Sequence, residues 1–183
     1  MPEVVLRPLE PADEHLLRTA THVNLNRVGP ERFTLADVDR RPDLRCYTVL
    51  DPDRGDLGFA ARLEGRDVGV VWLQFLDASA PGHGFVADGV PELGLCVFSG
   101  YRGAGIGGLL LDEALAAADR LGLRVSLSVE AGNPARRLYA GRGFVAAPDR
   151  PDTTMLRGRP LDLRRVASRP GRRPARRAGR SPR

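Results

Sequence analysis

The stretch Arg102-Gly103-Ala104-Gly105-Ile106-Gly107-Gly108 is the most informative part of this 183-residue chain. It follows a short apolar segment, Leu93 to Val97, that predicts a buried strand, and it precedes an alanine- and leucine-rich segment that predicts a helix. Glycine lets a ligand approach the backbone, and the first turn of a helix presents unpaired N–H groups and a positive dipole end. We therefore expect this stretch to bind the phosphates of a ligand, with Arg102 adding a positive charge.

Two phosphate-binding patterns fit this stretch. Gly103, Gly105 and Gly108 form G-x-G-x-x-G, the fingerprint of dinucleotide-binding enzymes, and Glu130 follows at about the 20-residue distance at which that fingerprint places an acidic residue. However, several residues separate the strand from the first glycine, whereas the dinucleotide turn follows its strand directly. Only 75 residues follow Gly108, and a doubly wound sheet needs several more strand–helix units. The spacing therefore argues against a dinucleotide-binding oxidoreductase.

The same stretch also matches the pattern R-x-x-G-x-G, at Arg102, Gly105 and Gly107, and further motifs follow it in a characteristic order. These motifs are an alternating strand, an N-P-A-R-R-L-Y helix start and a G-F pair, at Val125–Val129, Asn133–Tyr139 and Gly143-Phe144. The block from Glu92 to Phe144 thereby resembles the GNAT superfamily of acetyl-CoA-dependent N-acetyltransferases. The resemblance implies an α/β fold with a mixed, mostly antiparallel sheet that is flanked by helices and splayed between its fourth and fifth strands.

The resemblance also implies that acetyl-CoA is the co-substrate. The loop would hold its pyrophosphate, while the central strand and an asparagine would contact its pantetheine arm. The residues at these positions are Leu95, Cys96, Val97, Arg102, Gly103, Ala104, Gly105, Ile106, Gly107, Gly108 and Asn133. A helix cap before Pro134 is the alternative role for Asn133. Cys96 is interpreted as a small buried residue rather than a nucleophile.

Three side chains are candidates for acid–base chemistry. Tyr139 matches a tyrosine that many family members place near the cofactor sulfur as general acid, and a phenol is protonated at pH 7. Packing in the core is its alternative role. Glu92, entering the central strand, and Glu130, ending the neighbouring strand, are the candidate general bases, and we favour Glu92. Some family members carry a glutamate where this chain has Ser128, so the assignment of the base stays open.

The charge of the chain is unevenly distributed. All 28 basic residues are arginine, and nine of them lie in residues 164–183, which contain no acidic residue. Residues 1–163 carry 19 arginines against 23 acidic residues, a formal charge of −4. We therefore predict an acetyltransferase domain at 1–163 and a disordered arginine-rich tail at 164–183, because the tail has too little apolar content to fold. Such a tail can contact nucleic acid by counterion release; a solvated extension is the alternative.

Composition and element pattern complete the expectation. The hydrophobic content of 42% suffices for one core, no apolar run is as long as a membrane span, and no signal-peptide pattern is present, so we expect a cytoplasmic protein. Neither the two cysteines nor the three histidines have metal-ligand spacing. Periodicity predicts strands at Val4–Arg7, Leu57–Leu63, Val68–Phe75, Pro91–Phe98, Arg124–Glu130, Phe144–Ala146 and Thr153–Arg157, and helices near Pro11–Val23, Thr34–Arg40, Ile106–Leu121 and Pro134–Ala140.

The predicted function is acetyl transfer from acetyl-CoA to a primary amine by direct attack in a ternary complex. The acceptor, a small-molecule or protein amine, would bind among the first helices, the Asp77–Gly89 loop and the last hairpin, where motifs are fewest. The sequence leaves a homodimer open. The alternative from a different class is a non-catalytic module that uses the basic tail for binding.

Overall fold

The computed structural model describes residues 3–27 and 29–158, and a seven-stranded sheet lies at its centre. The strands are β1 (Val5–Pro8), β2 (Leu57–Leu63), β3 (Arg66–Gln74), β4 (Glu92–Val97), β5 (Val125–Ser128), β6 (Val145–Ala146) and β7 (Thr154–Arg157). Their order in the sheet is β1-β2-β3-β4-β5-β7-β6. All neighbours are antiparallel except β4 and β5, which are parallel and pair only through Glu92 and Ser126. The expected splay between the fourth and fifth strands is confirmed.

Helices cover both faces of the sheet. They are α1 (Glu14–Leu25), α2 (Leu35–Arg40), α3 (Pro42–Arg45), α4 (Ile106–Arg120) and α5 (Ala135–Ala140), with 3₁₀ turns at Pro11–Asp13, Cys46–Thr48 and Pro52–Arg54. Val71 and Leu73 of β3 pack with α4, whereas Val70 and Trp72 pack with α1. Because successive side chains of a strand point to opposite faces, these two apolar clusters place α1 and α4 on opposite sides of the sheet.

Helix α4 begins and ends at glycines with left-handed backbone conformations. Gly105 precedes it with φ of +81°, and Gly122 follows it with φ of +65°. The predicted helical end at Leu121 is one residue too long, and that side chain is 62% exposed. Leu109, which the periodicity assigns to the buried face, is 50% exposed because the face in contact with the sheet is centred on Leu110, Leu111 and Ala114.

The β2–β3 hairpin has a shorter turn than expected. The sequence predicts a four-residue connection over 64–67, but Arg66 already pairs with Leu63. The turn is therefore Glu64-Gly65, and both residues have positive φ, 49° and 79°, as tight hairpin turns require. Pairing of the backbone extends the strands further than the side-chain pattern indicated.

The remaining expectations concern the domain boundary, the tail and membrane-spanning segments. The predicted domain boundary after residue 163 and the tail at 164–183 lie outside the described residues. Within the described part of the chain, no helix is both long enough and apolar enough to cross a membrane.

Candidate active site

The loop between β4 and α4 presents a row of unpaired backbone donors. Gly103 and Gly105 both have φ of +81°, and no atom of the described residues lies within 4 Å of the position that a Cβ would take at either one. Among the described residues, none of the backbone N–H groups of 102–107 donates a hydrogen bond to protein. These donors surround the positive end of the α4 dipole, so the loop fits an anionic group such as a pyrophosphate.

The splay exposes backbone groups of β4. The N–H of Phe98 donates to Val68 O of β3 at 3.0 Å, so the alternation of an antiparallel ladder also directs the N–H of Cys96 toward β3. Leu95 and Val97 therefore face the opposite edge, where β5 no longer pairs with β4. Two side chains reach this edge. Asn24 Nδ2 donates to Leu95 O and Arg102 Nε donates to Val97 O, both at 3.0 Å.

Cys96 lies in the apolar cluster beneath α1. Its side chain is 1% exposed, and burial raises the pKa of its thiol to about 12. A thiol with such a pKa is protonated at neutral pH and is a poor nucleophile. Of the three strand positions that the sequence singled out, Leu95 and Val97 thus direct backbone groups to the splay, and Cys96 does not.

Helix α5 carries the predicted tyrosine. Tyr139 is 7% exposed and its ring meets Phe144 edge-on, with 5.8 Å between the centroids. Burial raises the pKa of its hydroxyl to about 12, so it remains protonated at neutral pH. Asn133 Oδ1 accepts a hydrogen bond at 2.9 Å from the N–H of Ala135, the first residue of the helix. Asn133 also lines an open cleft of about 360 Å³.

Glu92 is a carboxylate removed from water at the start of β4. It is 4% exposed, and its Oε1 accepts hydrogen bonds from the Tyr47 hydroxyl and the Gly84 N–H, both at 2.9 Å. Its Oε2 is buried and has no partner in the described structure. Burial raises the pKa of Glu92 to about 7, although the two hydrogen bonds and the positive charge of Arg150 oppose the shift. A carboxylate poised near neutral pH is suited to act as a general base.

The 82–85 segment packs directly over Glu92. A Cβ on Gly82 would overlap Glu92 Oε2, and one on Gly84 would lie 2.8 Å from Oε1. Arg150, in the β6–β7 connection, holds this segment in place by donating to the carbonyl oxygens of His83, at 3.0 Å, and of Phe85. The predicted acceptor loop and the last hairpin therefore meet at this carboxylate.

The acetyltransferase (GNAT) family model matches residues 21–144 of the sequence. The chain belongs to this family. It is therefore an acyltransferase, and the resemblance seen in the sequence is confirmed. No protein of curated function matches the chain.

Solved structures of the family share the fold. A GNAT acetyltransferase from Staphylococcus aureus Mu50 aligns with a TM-score of 0.62 and 18% identity over 85% of this chain and 98% of its own. PaiA N-acetyltransferase from Thermoplasma acidophilum, solved with coenzyme A, gives 0.60 and 17% over 86% and 99%. An acetyltransferase from Brucella melitensis, solved with acetyl-CoA, gives 0.57 and 22% over 87% and 90%.

The structure separates the two candidate bases of this acetyltransferase. Glu130 follows β5 at an exposed position, and its carboxylate makes no hydrogen bond or ion pair with the described residues. Glu92, in contrast, is enclosed.

Arg136, one of the arginines after the N-P-A motif, donates to three carbonyl oxygens at 3.0–3.1 Å, those of Val129, Pro151 and Asp152, and thus joins α5 to its neighbours.

Sequence reasoning missed the residues that surround Glu92 and the splay. They are Asn24, Tyr47, Gly82, Gly84 and Arg150. No motif contains them, and Tyr47 lies 45 residues from its carboxylate along the chain. The available signal was the concentration of glycines in the Asp77–Gly89 loop, which identifies the segment but not what it covers.

Proposed function

We propose that this acetyltransferase transfers the acetyl group of acetyl-CoA to a primary amine by direct attack of the amine in a ternary complex. The observation that carries the proposal is Glu92, a buried carboxylate with a pKa near 7 whose Oε2 has no hydrogen-bond partner among the described residues. Such a group accepts a proton from an ammonium in a site that excludes water. Direct attack is favoured because burial raises the pKa of Cys96 to about 12 and that of Cys46, near Glu92, to about 11, so neither thiol is an activated nucleophile.

The chain's own groups divide the binding of acetyl-CoA between a loop and a strand. Arg102 and the backbone of 103–108 hold the pyrophosphate through charge-assisted hydrogen bonds. The backbone groups of Leu95 and Val97 that face the splay pair with the pantetheine arm, and the Asn133 amide contacts the same arm. Cys96 contributes to this strand through its packing.

We assign residues of the chain to each chemical requirement of amide formation. Glu92 Oε2 accepts the proton that the ammonium form of the acceptor must lose. A splay-facing N–H of Leu95 or Val97 polarises the thioester carbonyl as an oxyanion donor. Tyr139 donates its hydroxyl proton to the departing thiolate, for which a pKa of about 12 keeps it protonated. Water then returns a proton to Tyr139.

Binding of acetyl-CoA is tested by thermal unfolding with acetyl-CoA, coenzyme A, NADH and no ligand. A ligand at about 100 times its Kd adds roughly 2.7 kcal/mol of stability, and each kcal/mol raises Tm by about 2–4 °C for a domain of this size. We expect acetyl-CoA to raise Tm and NADH to leave it unchanged. A rise in Tm with NADH alone would favour a dinucleotide-binding oxidoreductase. Binding of acetyl-CoA without acetylation of any amine in a panel would favour a non-catalytic module.

Tyr139→Phe tests the proposed general acid. Loss of a general acid lowers kcat by about 10²- to 10⁴-fold, while the affinity for acetyl-CoA should stay unchanged because the ring still packs on Phe144. Steady-state kinetics and a binding titration measure the two quantities. An unchanged kcat would assign Tyr139 to core packing alone.

Other expectations remain proposals. They are a cytoplasmic location, a homodimer, and contact of residues 164–183 with nucleic acid. Deletion of this tail should abolish salt-sensitive retention on an anionic column without changing acetylation. Retention that survives the deletion would leave the tail as a solvated extension.

A further inference from the structure

Glu92 is shielded from bulk water. The residue is 4% exposed, and the glycine segment packs against both carboxylate oxygens. A base that takes a proton in each turnover must release it before the next one. The neighbours of Glu92 Oε1 are therefore of interest, because this oxygen alone has hydrogen-bond partners among the described residues.

We propose that Tyr47 positions Glu92 and, together with His83, carries the proton from Glu92 to solvent. The inference rests on the proposed function, because it takes Glu92 as the group that deprotonates the amine. The two oxygens of Glu92 then have different tasks: Oε2 accepts the proton from the acceptor, and Oε1 connects to the exit path.

Exposure increases along this path. Glu92 is buried, Tyr47 is half-buried and His83 is exposed. The Tyr47 oxygen lies 2.9 Å from Glu92 Oε1 and 3.4 Å from His83 Nδ1, and it accepts the backbone N–H of His83 at 2.6 Å. The Tyr47 and His83 rings are stacked, with planes 7° apart and centroids separated by 5.9 Å. Three titratable groups thus form one continuous chain from the interior to the surface.

The transfer balances without any additional reactant. The carboxyl group of Glu92, protonated on Oε2, rotates so that its O–H donates to the Tyr47 oxygen, and the Tyr47 hydroxyl turns toward the lone pair of His83 Nδ1. Glu92 then loses its proton to Tyr47 as Tyr47 loses its own to Nδ1, which leaves a carboxylate, a neutral phenol and an imidazolium. The exposed imidazolium releases the proton to water. Burial and the charge of Glu92 raise the pKa of Tyr47 far above its usual range, so the phenol transmits the proton without accumulating as a phenolate.

The groups that surround this chain affect its titration. Cys46 faces Glu92 and Tyr47, and Arg150 contributes positive charge that favours the ionised form of Glu92. Asp43 lies near His83, and Arg150 donates to the carbonyl oxygen of His83 at 3.0 Å.

His83→Phe and Tyr47→Phe test the path, with His15→Phe as a control. His15 is exposed, and its Nδ1 contacts only Ala12 O among the described residues. His83→Phe removes Nδ1 but keeps a stacking ring and the backbone N–H that bonds Tyr47. We expect it to lower kcat by about 10- to 100-fold and to make kcat rise with imidazole buffer concentration at constant pH and ionic strength. The wild-type protein and His15→Phe should show no buffer dependence.

Tyr47→Phe tests positioning through a measurement that does not need turnover. Titration of the Glu92 carboxyl by carbon NMR should show a pKa higher than that of the wild-type protein by about 1 to 2, because the charged form loses a hydrogen bond. His83→Phe should leave that pKa nearly unchanged. Melting temperatures establish that each variant is folded.

The outcomes separate this inference from the proposed function. A His83→Phe protein with wild-type kcat and no buffer dependence would overturn the exit path even where Glu92→Gln is inactive. An unchanged Glu92 pKa in Tyr47→Phe would overturn the positioning role. Full activity of Glu92→Gln would overturn the proposed function itself, while the NMR titration would still report on the contact between Tyr47 and Glu92.

Discussion

The glycine loop at 102–108 and the enclosure of Glu92 by Tyr47, Gly82, Gly84 and Arg150 (the Glu92 pocket) are built in opposite ways. The loop is one continuous segment that offers backbone N–H groups, and Gly103 and Gly105 are needed for their φ values, because no described atom would crowd a Cβ at either position. The pocket brings together side chains from separate segments, and Gly82 is needed because no Cβ fits beside Glu92. A site made of backbone is encoded locally, whereas a site made of packed side chains is encoded by tertiary contacts.

The electrostatics of the two regions differ in the same way. Residues 102–105 of the loop are exposed and keep contact with water, and the loop obtains its positive potential from a helix terminus and Arg102. The pocket removes a carboxylate from water, which raises the pKa of Glu92 to about 7. Substitutions in the loop should therefore affect binding of acetyl-CoA, and substitutions in the pocket should affect turnover.

The largest effect is expected for Glu92→Gln. Removal of a general base lowers kcat by about 10²- to 10⁴-fold, and the affinity for acetyl-CoA should be unchanged because the loop is intact. In the wild-type protein, kcat/KM should fall about tenfold per pH unit below the pKa near 7, as Glu92 becomes protonated. The variant should lose this dependence. Steady-state kinetics between pH 5 and 9 measure both results.

Glu130→Gln is the matched control for this substitution. Its carboxylate is exposed and makes no hydrogen bond or ion pair with the described residues, so we expect kcat and its pH profile to stay those of the wild-type protein. The assignment of the general base would be reversed if Glu130→Gln lost activity and Glu92→Gln did not. The base would then be the exposed carboxylate.

Gly82→Ala is expected to have the next largest effect. Its methyl group overlaps Glu92 Oε2 and must displace the carboxylate or the loop, and a displacement of about 1 Å can cost about 10²-fold in rate. The Kd for acetyl-CoA should not change. Gly89→Ala is the control in the same loop: its φ of +78° makes it strained, but no atom lies within 4 Å of the added methyl. An equal loss of kcat in both variants would indicate loop strain rather than contact with Glu92.

The smallest effect is expected for Gly105→Ala. A left-handed backbone costs a residue other than glycine roughly 1–2 kcal/mol, and the open space lets the loop relax when no ligand is bound. Restoring the binding conformation should then weaken acetyl-CoA affinity by roughly 5- to 30-fold, with kcat at saturation retained. Isothermal titration and saturating kinetics measure the two quantities. Loss of kcat with unchanged affinity would contradict the division between the two regions.

The order of elements was predictable because local patterns encode it, whereas the splay was implied by the resemblance to the family. Alternation along β4 and β5, the 3.6-residue period of α4 and the glycines around it all act within one element. The wrong predictions concern features that depend on contacts between neighbouring elements. Leu109 is exposed because the sheet contacts another part of the helix, and the β2–β3 turn shortened because backbone pairing continued to Arg66.

The sequence alone identified the family, through several motifs in a characteristic order, and the family implied the fold. It also identified the loop that fits a pyrophosphate, because glycine conformation and helix termini are local properties. It left Glu92 and Glu130 as alternatives, since both are glutamates near the same splay. Only the tertiary structure distinguished them, by enclosing one under Gly82 and Gly84 and leaving the other in water. It also brought Tyr47 to Glu92 across 45 residues. The raised pKa of Glu92 results from its burial among distant segments, so no local pattern of residues contains it.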